Sequence, residues 1–476
     1  MKVVLVEPNN GMWTAGRTIR PSSVDPIALG YLGAVAQQEG HKVRIIQERT
    51  ETPSELVDKI IEEEPDVVGY STLTYSFPFA KEIAARVKQK RNVVNVFGGY
   101  HVSVARAEED VARDLTQPID FVVLGEGEET FRYLLRFIKG GDNPEDVKGI
   151  AFRKNGHLTI TEPRQRITDL DSLPWPLRPK EYMQDNVLAG VTVVPAMSDQ
   201  KGVSMMDYSR GCPFSCSYCA SPVALGHEVT FRSAKDFVDE LEFLHNEFGT
   251  NNVYLTDLTF NLNKAKVYEL CDELEKRQLG VSLYVMCRPD VDEQLFIRMK
   301  QANISRIAWG VEALTDKNLD ALNRNHDLQK TLDSIKLADS VGIATRGYVM
   351  MGFEQEGFRN AEDFVDQFSR GVRRLAEHGV DDIRLGLITP FPGTQLYRDC
   401  KEQGLILTYD FSQYDSEHPV LAHSVLKPEQ QVQIRDRIFN DFYTSPEYQK
   451  HIQDKLARHP EMKKAHDEFM QANGFN

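Results

Sequence analysis

Apolar runs of strand length alternate with amphipathic stretches of helical period along the first 140 residues. The runs lie at 3–6, 43–46, 67–70, 93–97 and 121–124, and the helical stretches at 27–38, 54–63, 79–88, 104–115 and 128–138. Such alternation is typical of a parallel sheet covered by helices on both faces. It predicts an α/β domain of doubly wound type over residues 1–140.

The same alternation returns six times between residues 201 and 402, with strands expected at 205–209, 253–256, 282–286, 306–310, 347–352 and 383–388. Six β/α units predict a partial barrel, with chemistry at the carboxyl ends of its strands. Residues 141–200 are interpreted as a hairpin around Lys154-Asn155-Gly156 followed by a proline-rich linker. Residues 403–476 are expected to form a helical cap, with helices at 430–442 and 446–466.

Glycines and small hydroxyl residues follow three strands of the first domain, at 71–74, 98–101 and 125–128. In open parallel sheets ligands bind at the carboxyl ends of the strands. Residues without bulky side chains let a large ligand approach the backbone there. This edge is therefore the candidate binding edge of the first domain.

Three cysteines, Cys212, Cys216 and Cys219, are spaced C-x3-C-x2-C after the first predicted strand of the barrel. Iron–sulfur cubes normally take four cysteines, so three local ligands would leave one iron open to a small molecule. A zinc knuckle and a chance cluster of buried cysteines are the alternatives. Cys271 and Cys400 lie in helical patterns and are expected to be buried hydrophobes.

With Tyr218 directly before the third cysteine, this motif resembles the radical S-adenosylmethionine (SAM) superfamily. The resemblance implies a [4Fe-4S] cluster on the three cysteines, with SAM bound at its open iron. It also implies SAM contacts from four residues at or near strand ends, namely Tyr218, Asp257, Arg288 and Glu312. Helix capping is the alternative for the two acids, and a structural salt bridge is the alternative for the arginine.

The segment 26–32, the Gly-Gly-Tyr-His turn and the Gly-Glu-Gly-Glu turn resemble cobalamin-binding domains that precede radical SAM domains. The first domain is then flavodoxin/Rossmann-like, and the resemblance implies cobalamin contacts from Ser71, Thr72, Thr74, Gly98, Gly99, His101, Gly125, Glu126 and Gly127. The D-x-H-x-x-G signature is missing, so cobalamin is expected to bind without a histidine ligand. For His101 a polar residue at a loop end is the alternative.

The resemblance implies that SAM is cleaved reductively to a 5′-deoxyadenosyl radical. With cobalamin, the enzyme would then methylate an unactivated carbon of a small molecule, lipid or natural product, and a flavodoxin or ferredoxin would supply the electron. The alternative is an oxidative cyclase, ring-rearranging enzyme or dehydratase of the same architecture. A third reading is a binding protein that senses cobalamin or redox state.

Net charge, hydropathy and cysteine usage limit the classes of partner and the cellular settings that are expected for this protein. A formal net charge of −15 argues against nucleic acid, which is bound by clustered Lys and Arg. The apolar run at 191–197 is too short to span a membrane, and the N-terminus lacks a signal-peptide layout. Six cysteines with none before Cys212 form no disulfide framework, which favours a reducing cytoplasm. RNA methylthiotransferases are disfavoured because their first domain carries its own cysteines.

Overall fold

The structure is a computed structural model that describes residues 1–9, 25–49, 51–183, 203–290, 292–353, 358–472 and 474–475. Residues 184–200 of the predicted linker, which include the apolar run at 191–197, lie outside these residues. Among the described residues, no helix has both the length and the apolar composition needed to cross a membrane.

The first sheet has seven strands in the order β2-β1-β3-β4-β5-β6-β7. They are β1 (Lys2–Glu7), β2 (Lys42–Gln47), β3 (Val67–Ser71), β4 (Val94–Gly98), β5 (Phe121–Val123), β6 (Ile150–Lys154) and β7 (His157–Ile160). The first five strands run parallel, as predicted. The helices of this domain are α1 (Ile27–Gln38), α2 (Pro53–Glu62), α3 (Phe77–Lys90), α4 (Tyr100–Ser103), α5 (Glu109–Asp114) and α6 (Glu128–Gly140).

Two features of the first domain differ from the prediction. The hairpin β6–β7, which we placed in the linker, extends the sheet because β6 pairs antiparallel with β5 and buries Ile150 and Ala151. The single helix predicted at 104–115 is broken into α4, a 3-10 turn (Val104–Arg106) and α5. Val104 in this broken stretch packs against the loop at Gly393, so the irregular backbone serves a contact between domains.

The second large sheet has six parallel strands in the order β15-β14-β13-β12-β11-β8, which confirms the partial barrel. The strands from residue 203 onward are β8 (Val203–Met206), β9 (Ser209–Arg210), β10 (Thr230–Phe231), β11 (Asn252–Leu255), β12 (Ser282–Cys287), β13 (Ile304–Glu312), β14 (Ala344–Met351) and β15 (Asp382–Leu387). The first predicted barrel strand is split, and β9 pairs with β10 in a separate ladder. This split directs the cysteine loop away from the sheet.

Helices follow the barrel strands and continue into the C-terminal region. They are α7 (Lys180–Met183), α8 (Ser221–Leu225), α9 (Ala234–Phe248), α10 (Lys264–Arg277), α11 (Glu293–Gln301), α12 (Asp316–Ala321), α13 (Leu328–Ser340), α14 (Ala361–Glu377), α15 (Gln395–Glu402), α16 (Pro428–Thr444), α17 (Pro446–Arg458) and α18 (Lys463–Ala472). Many begin at a side-chain cap, since Ser233, Asp327 and Thr394 each accept a hydrogen bond from the third residue of their helix.

Buried ion pairs fill the amino end of the barrel. Asp382 lies between Arg306 and Arg346, and all three side chains are buried. Nearby, the Lys455 ammonium of α17 lies 2.8 Å from the Asp339 carboxylate and 2.5 Å from the Asp381 carboxylate. These pairs fix the C-terminal helices to the closed end and leave the carboxyl end of the barrel for chemistry.

Candidate functional site

The cysteine loop begins with a turn that only glycine can make. Gly211 has φ +96°, and a Cβ there would lie 1.9 Å from the Glu228 carbonyl oxygen. The middle of the loop is held by the segment after α12. The Ser217 N–H donates to the Leu322 carbonyl at 3.0 Å, and the Asn323 amide donates to the Ser215 carbonyl at 2.8 Å.

The three thiols are partly exposed at the carboxyl end of the barrel. The Cys212 sulfur lies 3.9 Å from the Thr259 hydroxyl. The Cys216 sulfur has two guanidinium neighbours, with Arg288 Nη1 at 3.6 Å and Arg324 Nη1 at 3.7 Å. Burial raises the pKa of the Cys219 thiol, whereas hydrogen bonds with Ser221 lower it. The protein therefore offers three sulfurs and positive charge beside one of them.

Glu312 ends β13 at a register shift and has φ +65°. Such a conformation is uncommon for a non-glycine residue and is found at functional sites. Burial raises the pKa of the Glu312 carboxyl, opposed by the Arg324 charge and by a hydrogen bond with Tyr218. The Arg324 Nη1 atom lies 4.0 Å from Glu312 and 3.2 Å from the Tyr218 hydroxyl. Two of the predicted SAM residues, Tyr218 and Glu312, thus meet around an arginine that the sequence analysis missed.

Arg288 lies across the aromatic ring of Phe214, with its guanidinium carbon 3.7 Å from the ring centre. Its backbone is fixed by Asn261, which accepts from the Arg288 N–H at 3.0 Å and donates to the Arg288 carbonyl at 2.9 Å. Its guanidinium donates to the Arg324 carbonyl. The sequence leaves two roles open for Arg288, a contact with SAM and a structural salt bridge. In the described part of the chain Arg288 forms no salt bridge with a carboxylate, so its positive charge lies beside the cluster loop.

Asp257 is buried beneath the cysteine loop. Its carboxylate accepts a hydrogen bond from the Tyr208 N–H at 2.8 Å and another from the Ser209 hydroxyl. Burial raises the pKa of this carboxyl to about 7. Asp257 therefore holds the backbone that leads into the loop, and its predicted contact with SAM stays a prediction.

At the candidate edge of the first domain, β3 and β4 end in close contact. Ser71 pairs with Gly98, and both the Thr72 N–H and its hydroxyl donate to the Gly98 carbonyl at 2.8 Å. Gly99 has φ +101°, and a Cβ there would lie 2.4 Å from the Thr72 carbonyl oxygen. The glycine turn is thus required by the approach of two strands, whatever ligand it contacts.

His101 is placed inside this edge and not on its surface. Its ring lies 4.3 Å from the Phe77 ring and 5.0 Å from the Phe411 ring, centre to centre. Its Nδ1 atom lies 3.4 Å from the Thr74 hydroxyl. Burial lowers the pKa of His101 to about 3. The imidazole is neutral here and enclosed by aromatic rings, which agrees with the alternative reading of a structural residue.

The Gly-Glu-Gly-Glu turn is engaged by the linker and the barrel. Glu126 accepts from the Arg166 guanidinium at 3.1 Å and from the Ile167 N–H at 3.0 Å. Gly125 faces the Ala224 carbonyl of α8, while Gly127 packs on Leu32 of α1. A cavity of about 180 Å³ opens here, and its walls include Gly125, α8 and Arg166. Glu126 therefore joins domains, and its predicted cofactor contact remains untested.

The glycine turn of the first domain and the cysteine loop of the barrel are each followed by a short helix, and these two helices meet. Helix α4, which begins at Tyr100 in the glycine turn, contacts α8, which begins at Ser221 two residues after Cys219. On the opposite side, the Leu396 N–H donates to the Ser217 carbonyl at 2.9 Å. Tyr100 belongs to the recognised Gly-Gly-Tyr-His turn. Ser221 stands two positions after a recognised cysteine, and that proximity was the available clue to it.

These arrangements fit the expected groups. Three thiols at the carboxyl end of a parallel half-barrel suit an iron–sulfur cluster with an open iron. The facing edge, built on glycines at positive φ, suits close approach of a large cofactor. Together the fold and the site define a two-domain iron–sulfur enzyme of the radical type.

Family models assign the class. The radical SAM superfamily model matches residues 206–368, and the B12-binding domain model matches residues 17–135. The chain belongs to the radical SAM enzymes that carry a B12-binding domain ahead of the radical SAM domain. Its cofactors are accordingly a [4Fe-4S] cluster, SAM and cobalamin. Enzymes of this class require an electron donor.

Curated relatives cover nearly the whole chain. An uncharacterized methyltransferase, PH0819, from Pyrococcus horikoshii is 27% identical over 94% of this chain and 93% of its own length. An anaerobic magnesium-protoporphyrin IX monomethyl ester cyclase from Cereibacter sphaeroides is 27% identical over 90% of this chain and 68% of its own length. The family thus includes proteins named for two reactions.

Solved structures share the fold. The radical SAM methyltransferase TsrM from Kitasatospora setae, determined with cobalamin and a [4Fe-4S] cluster, has a TM-score of 0.66 at 19% identity, over 94% of this chain and 82% of its own. The cobalamin-dependent SAM radical enzyme OxsB, determined with aqua-cobalamin and SAM, has a TM-score of 0.67 at 14% identity, over 99% of this chain and 78% of its own.

Proposed function

We propose that this enzyme methylates an unactivated carbon of a small molecule, lipid or natural product. The observation that carries the proposal is the contact between α4, which follows the glycine turn of the first domain, and α8, which follows the cysteine loop. Cofactors held at those two loops would lie close to one another. When bound, the cluster with SAM supplies a radical and cobalamin supplies a methyl group.

The residues of the chain have distinct parts in this proposal. Cys212, Cys216 and Cys219 hold the cluster, while Tyr218 and Glu312 lie where they can bind polar groups of SAM. Arg288 presents positive charge suited to the SAM carboxylate. For cobalamin we propose contacts from Ser71, Thr72, Thr74, Gly98, Gly99, Gly125, Glu126 and Gly127. No histidine ligand is proposed, because the His101 ring is enclosed by Phe77 and Phe411. Relatives named as methyltransferases support the choice of reaction.

The second candidate is oxidative cyclisation by the same radical. It is favoured by the cyclase from Cereibacter sphaeroides, which has the same 27% identity to this chain as the methyltransferase PH0819, over 68% of its own length. The donor of the electron is proposed to be a flavodoxin or ferredoxin. A reducing cytoplasmic setting is supported by six cysteines that are all free.

Labelled SAM separates the two candidates without a known substrate. The holoenzyme, loaded with cluster and cobalamin under anoxic conditions, is incubated with methyl-¹³C-SAM and a strong reductant. Methyl transfer predicts label in the cobalamin fraction together with 5′-deoxyadenosine. Formation of 5′-deoxyadenosine with no label on cobalamin would reject methyl transfer in favour of the cyclase reading.

Cysteine variants test the ligand set. Replacing Cys212, Cys216 or Cys219 with alanine is expected to remove most of the cluster iron and its visible absorbance. Cys271→Ala is the matched control, because Cys271 is a buried cysteine within α10 and away from the loop. If Cys271→Ala lost iron while the three loop variants kept it, the ligand assignment would be wrong.

A further inference from the structure

Arg324 reaches the cluster loop because of the turn in which it lies. It follows α12 between Asn323 and Asn325, which have φ of 56° and 57°. Asparagine adopts this left-handed conformation more readily than most residues. The Arg324 N–H donates to the Leu319 carbonyl at 3.0 Å, and the side chain is 5% exposed. The two turns thus direct a long cationic side chain into the barrel.

The guanidinium of Arg324 contacts three parts of the site. Its Nη1 atom lies 3.7 Å from the Cys216 sulfur and 3.2 Å from the Tyr218 hydroxyl. Its Nη2 atom donates to the Gly310 carbonyl at 2.7 Å. The carbonyl contact fixes the guanidinium plane, so the hydrogen bond to sulfur is held in place.

The cysteine sulfurs differ in the hydrogen-bond donors that lie beside them. Cys216 has both Arg324 and Arg288, whose Nη1 atom lies 3.6 Å from the same sulfur. Cys212 has a neutral hydroxyl, that of Thr259, at 3.9 Å. Charged donors form stronger hydrogen bonds than neutral donors. Cys216 is therefore the thiolate on which negative charge is best stabilised.

Reduction adds an electron to a cluster, and part of the added charge resides on its sulfurs. Hydrogen bonds to sulfur and nearby net charge set the potential of such clusters. We propose that Arg324, together with Arg288, acts as a positioning residue whose hydrogen bond to the Cys216 thiolate makes the cluster easier to reduce. The inference rests on the proposed cysteine ligands and is independent of methyl transfer.

The test is a redox titration of the anaerobically reconstituted holoprotein, without SAM, monitored by electron paramagnetic resonance. In Arg324→Gln the ratio of reduced to oxidised cluster at a fixed potential is expected to fall tenfold. For a one-electron couple this equals a midpoint potential about 59 mV lower. Arg324→Lys keeps the charge and should shift less. The control Arg298→Gln, on α11 and paired with Asp272 and Glu275, should leave the midpoint unchanged.

A structural role alone would lower the cluster content and not the midpoint of the clusters that remain. An unchanged midpoint in Arg324→Gln with full iron content would overturn the inference. If Arg324→Gln assembles no cluster, Arg288→Gln is titrated in its place, because it removes the other donor to the Cys216 sulfur. An unchanged midpoint potential in Arg288→Gln would also overturn the inference. A Cys216→Ala variant that kept its cluster would instead reject the ligand assignment.

Discussion

At the scale of single residues, burial sets the chemistry of His101. The ring has aromatic neighbours on two elements, Phe77 and Phe411. Burial, followed by the nearby Lys81 charge, lowers the pKa of His101 to about 3. Desolvation disfavours the charged form of a histidine. His101, which the sequence suggests as a cofactor contact, is therefore a neutral residue within an interface.

The pH dependence of stability tests this state. The pKa of His101 is about 3 in the folded protein, against about 6.5 for an unfolded chain, so acidification between these values favours the unfolded state. At pH 5 the loss attributable to His101 should be about 2 kcal/mol. His101→Phe should remove it, measured as a flatter dependence of the denaturation midpoint from pH 7 to pH 5. Replacement of the exposed His157 by Phe is the control, and equal slopes in both variants would contradict the assignment.

At the scale of elements, the turn after β4 combines a positive φ with a close approach to β3. Gly99→Ala would place a Cβ 2.4 Å from the Thr72 carbonyl oxygen. We expect a loss of at least about 2 kcal/mol, from backbone strain together with the displaced strand end, measured as a lower denaturation midpoint and weaker cobalamin retention. Gly40→Ala is the matched control, because Gly40 also has a positive φ, +78°, but has no atom within 4 Å of the added Cβ. Similar losses in both variants would exclude the close approach as the cause.

Element positions were predictable from sequence because apolar period and strand length are local properties. All five parallel strands of the first sheet and five of the six barrel strands lie where the pattern predicts them, whereas the first barrel strand is split between β8 and β9. The hairpin β6–β7 was recognised from its turn, which is a local feature, but it was assigned to the linker. Its pairing with β5 depends on tertiary structure, which the local pattern does not show. Arg324 was missed for the same reason, since it reaches Cys216 across 108 residues of sequence that no motif spans.

At the scale of the whole molecule, buried ion pairs join the two domains next to the cluster loop. Arg210, two residues before Cys212, lies 2.7 Å from the Glu128 carboxylate of the first domain and 2.6 Å from the Asp207 carboxylate of the barrel. Its guanidinium carbon also lies 4.7 Å from the Tyr31 ring centre. The first domain thus takes part in orienting the loop that carries the cysteines.

Removing one partner of this network should destabilise the domain contact. Glu128→Gln leaves Arg210 with one fewer buried carboxylate and is expected to cost about 3 kcal/mol, seen as a lower thermal midpoint and faster proteolysis between the domains. Glu145→Gln is the control, because its pair with Lys154 is exposed and should contribute less than about 1 kcal/mol. An effect of Glu128→Gln no larger than that of the control would show that the pair does not join the domains.

The aromatic enclosure of His101 has a consequence for the order in which the protein is completed. Phe77 and His101 belong to the first domain, whereas Phe411 follows the last strand of the barrel. Ribosomes add about 5 to 20 residues per second, so the roughly 300 residues between His101 and Phe411 take some tens of seconds to translate. During that interval the His101 ring has its Phe77 neighbour but lacks Phe411, so the aromatic enclosure forms only after residue 411 has been synthesised.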